Sequence, residues 1–469
     1  MAAFEHRLLS TPLLVAAMLA APSVRAEGAT YAPPSSPLEQ RLQRIDAKIA
    51  EQDAVIASLR AELARLESAR VAAEKSESGS LLAGLRLSGF VQVDAVIYRQ
   101  SSRDEIDGAT GQPLNTQRFV IPRARLRADI DRGPLAAALE LDANTIQGAT
   151  ARILDAEITA RVRAREPGAP PYLAATLGLM KIPFGLEIPQ AETSRLFLER
   201  STVIRALFPG NYDLGVRLHG GYRFLRYSAA IMNGDPVGEK GDGGLDLSSG
   251  KDVLARLGAD TRPVNAVRVE IGLNGLTGQG LHRGTPTTKD VLVWRDANED
   301  GLVQGTEIQA ISGSAATASS TFRRFALAGD LRITATLPVL GDLTLYGEVI
   351  RAQNLDRGLA PADPVSLGRD VRELGFYAGA TLELTRWAMV GLRYDRYDPD
   401  ADASVQQARS RVPTDSSYST IAVTAAFRWA PLRVIAEYDR NHNALGRSAS
   451  GAPATLGDDL FAARAEVTF

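Results

Sequence analysis

Three arginines two residues apart, Arg123, Arg125 and Arg127, stand in the run Pro122-Arg-Ala-Arg-Leu-Arg127. A spacing of two puts side chains on one face of an extended strand, so the guanidiniums lie opposite Ala124, Leu126, Ala128 and Ile130. A guanidinium is a planar fork that stays charged at any ordinary pH and matches the oxygens of phosphate or carboxylate. Two chemistries follow from the column. It contacts small anions in water, or it is braced by carboxylates such as Glu140, Asp142, Asp155 and Glu157.

A second constellation is Asp296-Ala-Asn-Glu-Asp-Gly-Leu-Val-Gln-Gly-Thr-Glu307, which has the spacing of a twelve-residue EF-hand-type calcium loop. Asp296, Asn298 and Asp300 offer oxygens at positions one, three and five. Gly301 suits the sharp turn, Leu302 offers its carbonyl, and Glu307 closes the set as a bidentate ligand. The helices that usually flank such a loop are missing from the pattern, and an acidic solvated turn is the competing reading. Calcium here would stiffen a loop; no cofactor is required by anything else in the chain.

Other chemistries find little support. The chain has four histidines, and His6, His219, His282 and His442 fall in no nucleophile motif, so an enzyme is not expected. There is no cysteine for a thiolate metal site or a disulfide framework. A formal net charge of -2 does not mark a nucleic-acid binder, and any preference for anions must come from where the arginines sit.

The elements that position these residues are strands. From Leu85 the period is two: Leu85, Leu87, Gly89, Val91, Val93, Ala95 and Ile97 alternate with Arg86, Ser88, Phe90, Gln92, Asp94 and Val96. The pattern returns at 135–145, 154–163, 325–336, 343–353, 419–429 and 432–439. Sixteen such segments can be laid out, with tight connections near 131–134, 164–171, 223–224, 261–263, 337–341, 385–386 and 430–431. The connections between are mostly longer and polar. Short turns at one end and long loops at the other are the mark of a membrane barrel. No later apolar run approaches the ~20 residues of a membrane helix, and the mean hydropathy of -0.09 fits strands that hide one apolar face in the average. Facing lipid would cost each arginine of the column ~2–4 kcal/mol near the midplane, so the column is expected to face the channel.

The expected architecture is therefore an all-β, 16-stranded antiparallel transmembrane β-barrel over 85–469. It is preceded by a signal peptide (1–26), a Pro-rich spacer (27–37), a coiled-coil helix (38–75) and a linker (76–84). Apolar residues at Leu38, Leu42, Ile45, Ile49, Ile56, Leu59, Leu63 and Leu66 step by four and three, with Gln52 as the one polar core slot. That seam implies a periplasmic coiled coil that trimerises the chain or contacts the cell wall. The last segment, Phe461 to Phe469, alternates to an aromatic end, which resembles the signal read by the barrel insertion machinery.

Leu177-Gly-Leu-Met-Lys-Ile-Pro-Phe-Gly-Leu-Glu187, Thr193 to Arg200 and Pro209-Gly-Asn-Tyr-Asp-Leu-Gly-Val216 resemble the phosphate-selective porin O and P family. So do Ala230 to Gly234, Lys251 to Arg256 and the arginine run itself. The resemblance spans roughly 85 to 469 in the family's order. It implies a homotrimeric channel of the bacterial outer membrane, embedded in lipid, with a third outer loop folded into the lumen. At Asn211-Tyr212 the chain departs from the pattern, where an arginine is expected before the aspartate.

By strand count the third outer loop runs from Ile182 to Tyr212 and carries Arg195, Arg200 and Arg205 beside Glu187, Glu192 and Glu199. It is the candidate constriction, with Lys181 at its entrance. The expected function is passive diffusion of small anions, phosphate or related oxyanions, past these arginines. A general-diffusion porin with weak ion selectivity, or a structural barrel tethered through its coiled coil, are the alternatives.

Overall fold

The computed structural model describes residues 84–99, 116–146, 148–162, 169–238, 249–407, 410–444 and 458–469, together with Gln52, Ile56 and Glu62. The chain divides into two units at Ala83/Gly84. In the first, the three described residues are helical. The expected signal peptide and spacer, and otherwise the coiled coil and linker, lie outside the described residues.

The second unit is a closed antiparallel barrel. Its strands are β1 (Leu85–Tyr98), β2 (Gln117–Arg132), β3 (Leu135–Asn144), β4 (Thr150–Val162), β5 (Leu173–Lys181), β6 (Gly210–Tyr222), β7 (Leu225–Met232) and β8 (Asp252–Val264). Then follow β9 (Val267–His282), β10 (Ser320–Thr336), β11 (Asp342–Gln353), β12 (Arg372–Glu383), β13 (Ala388–Asp398), β14 (Tyr418–Trp429), β15 (Leu432–Asn443) and β16 (Leu460–Thr468). Each pairs with the next, and β16 returns to β1 through Val93↔Ala465 and its neighbours. The two-residue piece Val237–Gly238 adds to β6. At the seam Gly89 N donates to Phe469 O at 2.8 Å and Phe469 N to Gly89 O at 3.0 Å, and a Cβ on Gly89 would run into the Phe469 ring.

The period-two pattern sorts the two faces. Gln92, Asp94, Glu140, Asp142, Arg393 and Arg464 are buried inside the barrel, while Leu139, Ile158, Leu177, Val216, Leu327 and Val423 are exposed around the outside. Tyr222, Phe224, Trp387, Trp429 and Phe469 are exposed at the turn end. Tyr98, at the other end of β1, packs against a buried cluster that includes Leu196 and Phe197.

The turn ends are short, as at Gly133, whose φ of +78° closes the β2–β3 turn while Asp131 Oδ1 accepts from its N–H at 3.0 Å. One expected turn is misplaced: strand β8 runs through 261–263 and turns only after Val264. The register jumps between Val267↔Val264 and Val269↔Thr261, so a bulge absorbs Pro263, which has no N–H for the ladder. Pro122 lies at a similar register shift, where Gln92↔Arg123 is followed by Asp94↔Val120.

The connection from 182 to 209 folds into the lumen. It carries Ile182, Phe184, Ile188, Leu196, Phe197 and the short helix α1 (Thr202–Leu207), and water outside would be a poor solvent for them. Phe184, Ile188, Val203, Ile204, Leu207 and Phe208 are buried against Met232, Leu254, Leu276, Ala326, Ile350 and Ala352 on the inner faces of β7 to β11. Each large side chain so buried contributes ~1.5–3 kcal/mol, enough to hold an internal loop as a second small core. The loop ends at Pro209, and Tyr212 lies within β6.

Candidate functional site: the constriction at the internal loop

Loop 182–209 is pinned at both sides of the lumen. On the β8–β11 side, Gly185 N donates to Asn274 Oδ1 and Leu186 N to Glu348 Oε2, both at 3.1 Å. Arg256 Nη1, paired with Asp330 at 2.6 Å, also donates to Gly185 O at 3.0 Å. On the opposite side Leu198 N donates to Glu437 Oε2 at 3.0 Å, and Arg464 Nη1 to Leu198 O at 2.9 Å. Arg393 Nη1 donates to Glu199 O at 2.9 Å. The loop therefore crosses the lumen of the barrel and narrows it.

The arginine column lies on the lumen side of β2, with a carboxylate at every member. Arg123 grips Glu199 with two hydrogen bonds, of 2.7 and 3.0 Å. Arg125 Nε bonds Asp142 at 3.0 Å, with Glu140 3.4 Å from its Nη1. Arg127 Nη1 reaches Glu140 at 3.0 Å and Asp155 at 2.8 Å, and its Nε bonds Asp129 at 3.0 Å. Of the four carboxylates expected as braces, Glu157 instead stands 3.7 Å from Arg217.

The structure brings four of the expected arginines together on one carboxylate of the loop. Glu192 is paired with Arg195, lies 2.6 Å from Arg200 Nη2, 3.8 Å from Arg123 Nε and 3.9 Å from Arg125 Nη1. Its side chain is 1% exposed, so this cluster is electrostatically strong and poorly screened. The charged form of Arg195 is disfavoured first by burial and then by the guanidiniums of Arg200 and Arg123.

Two expected members stand apart. Lys181 Nζ donates to Gln190 O at 2.7 Å and lies 5.8 Å from the Tyr212 ring centre. Arg205 is exposed at the end of α1, 3.4 Å from Thr202 Oγ1. Under the loop a chamber of about 730 Å³ opens, lined among others by Phe90, Arg127, Lys181, Tyr212 and Arg217. A smaller one of about 270 Å³ lies against β9 to β13. Arg268, Arg332, Arg393 and Arg464 were not singled out by the sequence reading. Their signal was present as strand phase, since Arg464 alternates with Ala463 and Ala465, but a single arginine per strand stands out against nothing.

The calcium-type loop caps a hairpin of Val291–Trp294 and Ile308–Ile311. Its backbone is wound as the spacing requires, with positive φ at Glu299 and Gly301, and Asp296 Oδ2 accepts from Gly301 N at 2.8 Å. Glu307 accepts from Trp294 Nε1 at 3.2 Å and Ala297 N at 3.1 Å, while Asp300 Oδ1 accepts from Leu302 N at 2.8 Å. Among the described residues no group of three or more His, Cys, Asp or Glu side chains converges as a metal site. The carboxylates of Asp300 and Glu307 are turned to N–H groups of the loop and its hairpin.

No family model matches the chain, and no curated protein matches it. Solved structures do resemble it. The high-pH structure of Pseudomonas putida OprB is 12% identical, with 82% of this chain and 94% of that one covered and a TM-score of 0.50. The outer membrane channel DcaP of Acinetobacter baumannii is 10% identical over 82% and 97%, with a TM-score of 0.48. An anion-selective porin from Comamonas acidovorans is 12% identical over 82% and 99%, with a TM-score of 0.47. At 12% identity the likeness to OprB shows the fold alone.

Proposed function

We propose that this chain is an outer-membrane porin, assembled as a homotrimer, through which small anions such as phosphate or related oxyanions diffuse passively. The observation that carries the reading is an inside-out barrel: apolar residues outside, charged residues inside, and a lumen narrowed by a loop bearing Arg195 and Arg200. An exposed apolar girth of this extent suits lipid and not water. Low-dielectric walls focus the field of lumen charges, so guanidiniums at the narrow point govern which ions pass even in a chain of net charge -2. The test is the reversal potential of the purified protein in a planar bilayer under a potassium chloride gradient. A potential on the chloride side supports the reading; a large conductance with no ionic preference favours general diffusion.

We also propose that the loop Asp296–Glu307 takes up calcium weakly, by turning Asp300 and Glu307 from N–H groups to the cation. Because Trp294 Nε1 donates to Glu307, calcium should change tryptophan fluorescence, and Asp296→Asn should abolish the change. A fluorescence signal indifferent to calcium removes the site.

A further inference from the structure

On the outer wall of β5 to β7, at the turn end, three tyrosines are built into one patch. Tyr222 continues the exposed outward row Leu214, Val216 and Leu218 of β6. Tyr227 of β7 stands opposite Gly220, where a Cβ would run into Tyr172 O and Tyr227 Oη. The glycine therefore leaves the space in which the Tyr227 hydroxyl reaches across β6 and donates to Tyr172 O. The Tyr172 and Tyr222 rings lie 6.3 Å apart. Arg223, in the turn between β6 and β7, holds its guanidinium carbon 5.4 Å from the centre of the Tyr222 ring. Its φ is +52°, a region that favours glycine, so the turn itself gives no reason for an arginine. Arginines of this end that belong to the lumen face are paired, Arg161 with Asp131 and Arg226 with Asp260 at 3.2 Å. Arg223 has the ring and, among the described residues, no carboxylate.

A guanidinium stacked on a ring keeps its N–H edge for a ligand, and that planar fork fits the oxygens of a phosphate. Tyrosines, apolar in body and polar at the tip, settle where hydrocarbon meets headgroups. Further along the same wall Leu218, and then Leu177, Val216 and Ile231, present an exposed apolar surface that suits acyl chains. We propose that this patch binds an anionic phospholipid of the periplasmic leaflet, its phosphate on Arg223 and its chains along Leu218, Val216 and Ile231. The inference rests on the porin reading, which puts the short turns in the periplasm. Charge selects the anionic lipid over a zwitterionic one. The outward residues described on β5 to β7 include no carboxylate for an ammonium group. Asp260, whose N–H donates to Phe224 O at 2.7 Å, gives its carboxylate to Arg226 and Arg268 at 3.2 and 2.9 Å.

The experiment is native mass spectrometry of the full chain in detergent, titrated with dioleoylphosphatidylglycerol and separately with dioleoylphosphatidylcholine, while the same preparation is recorded in a planar bilayer. The wild type should bind phosphatidylglycerol about tenfold more tightly than phosphatidylcholine, the worth of one charged hydrogen bond. Arg223→Gln should remove that difference. Tyr222→Leu, which takes the ring from under the guanidinium and keeps the charge, should weaken phosphatidylglycerol about threefold. Arg262→Gln, which removes an exposed arginine near the end of β8, should change it less than about twofold. Equal binding of the two lipids to the wild type overturns the site, and so does an Arg262→Gln effect as large as that of Arg223→Gln. Displacement of the lipid by inorganic phosphate at equal concentration would make the ligand a free anion and overturns it too. In each of these cases a barrel that still conducts leaves the porin reading standing; a chain that forms no channel overturns both.

Discussion

The two sides of the lumen use arginine differently. Each guanidinium of the β2 column is set against carboxylates of the loop, of β2 itself or of β3 and β4: Arg123 on Glu199, Arg125 on Asp142 and Glu140, Arg127 on Asp129, Glu140 and Asp155. On β9 to β13 the loop-end half is apolar and packed under α1, and the half below it has arginines and threonines around a space. The first side is a brace whose charges largely cancel at short range. On the second the arginines also have carboxylate neighbours, but Arg332 and Arg393 stand 3.5 Å from Glu270 and Asp395, farther than the bonds of the brace. Counting arginines therefore says little about ion preference; the charge left over after pairing decides it.

The comparison breaks most visibly if the brace is removed. Replacing Arg123, Arg125 and Arg127 together by Gln leaves Glu140, Asp142 and Asp155 without their main partners. Each broken buried pair costs about 3–5 kcal/mol, so the triple variant should lose much of its resistance to heat and urea and turn toward cations. Unchanged reversal potentials would take the column out of the conduction path. Next in size is Glu192→Gln, which strips one shared carboxylate from four guanidiniums. It should cost about 3–5 kcal/mol in barrel stability and shift the reversal potential toward anions. A shift toward cations would mean that Glu192 does not offset these arginines. The smallest effect is expected at the far anchor. Gly185 has φ of +67°, and an added Cβ would meet the Glu348 carboxylate, so Gly185→Ala should cost about 1–2 kcal/mol locally. Noisier single-channel current with the barrel's melting unchanged is the expected outcome; quiet current would show that the anchor on β11 is dispensable.

Much of the fold was legible because the period-two pattern sorts inside from outside in every strand and turn residues punctuate it. The turn at 261–263 was misread because Pro263 marks a break in most contexts, whereas here a bulge carries it within the strand. The column was visible because one strand holds all three arginines. The Glu192 cluster was not, since its members come from β2 and from two places in the loop, and only the inward folding of 182–209 joins them. For the same reason the lining of the smaller chamber has no local signature: its arginines come from the loop and from β9, β10 and β13, separated by long stretches of chain.

The seam between β1 and β16 has a consequence for the order of events in folding. Fifteen of the ladders join strands that are neighbours in sequence, but the one that shuts the ring must wait for the most distant partner in the barrel. Until β16 arrives, β1 exposes a full row of unpaired N–H and C=O groups, which an apolar surrounding cannot satisfy and another chain readily can. Closure is then a late, non-local step, and it brings Asp94 of β1 to Arg464, the residue that also holds the loop at Leu198 O. A chain halted before that point would be an aggregation hazard, so its lifetime in the open state should govern the yield of working barrels.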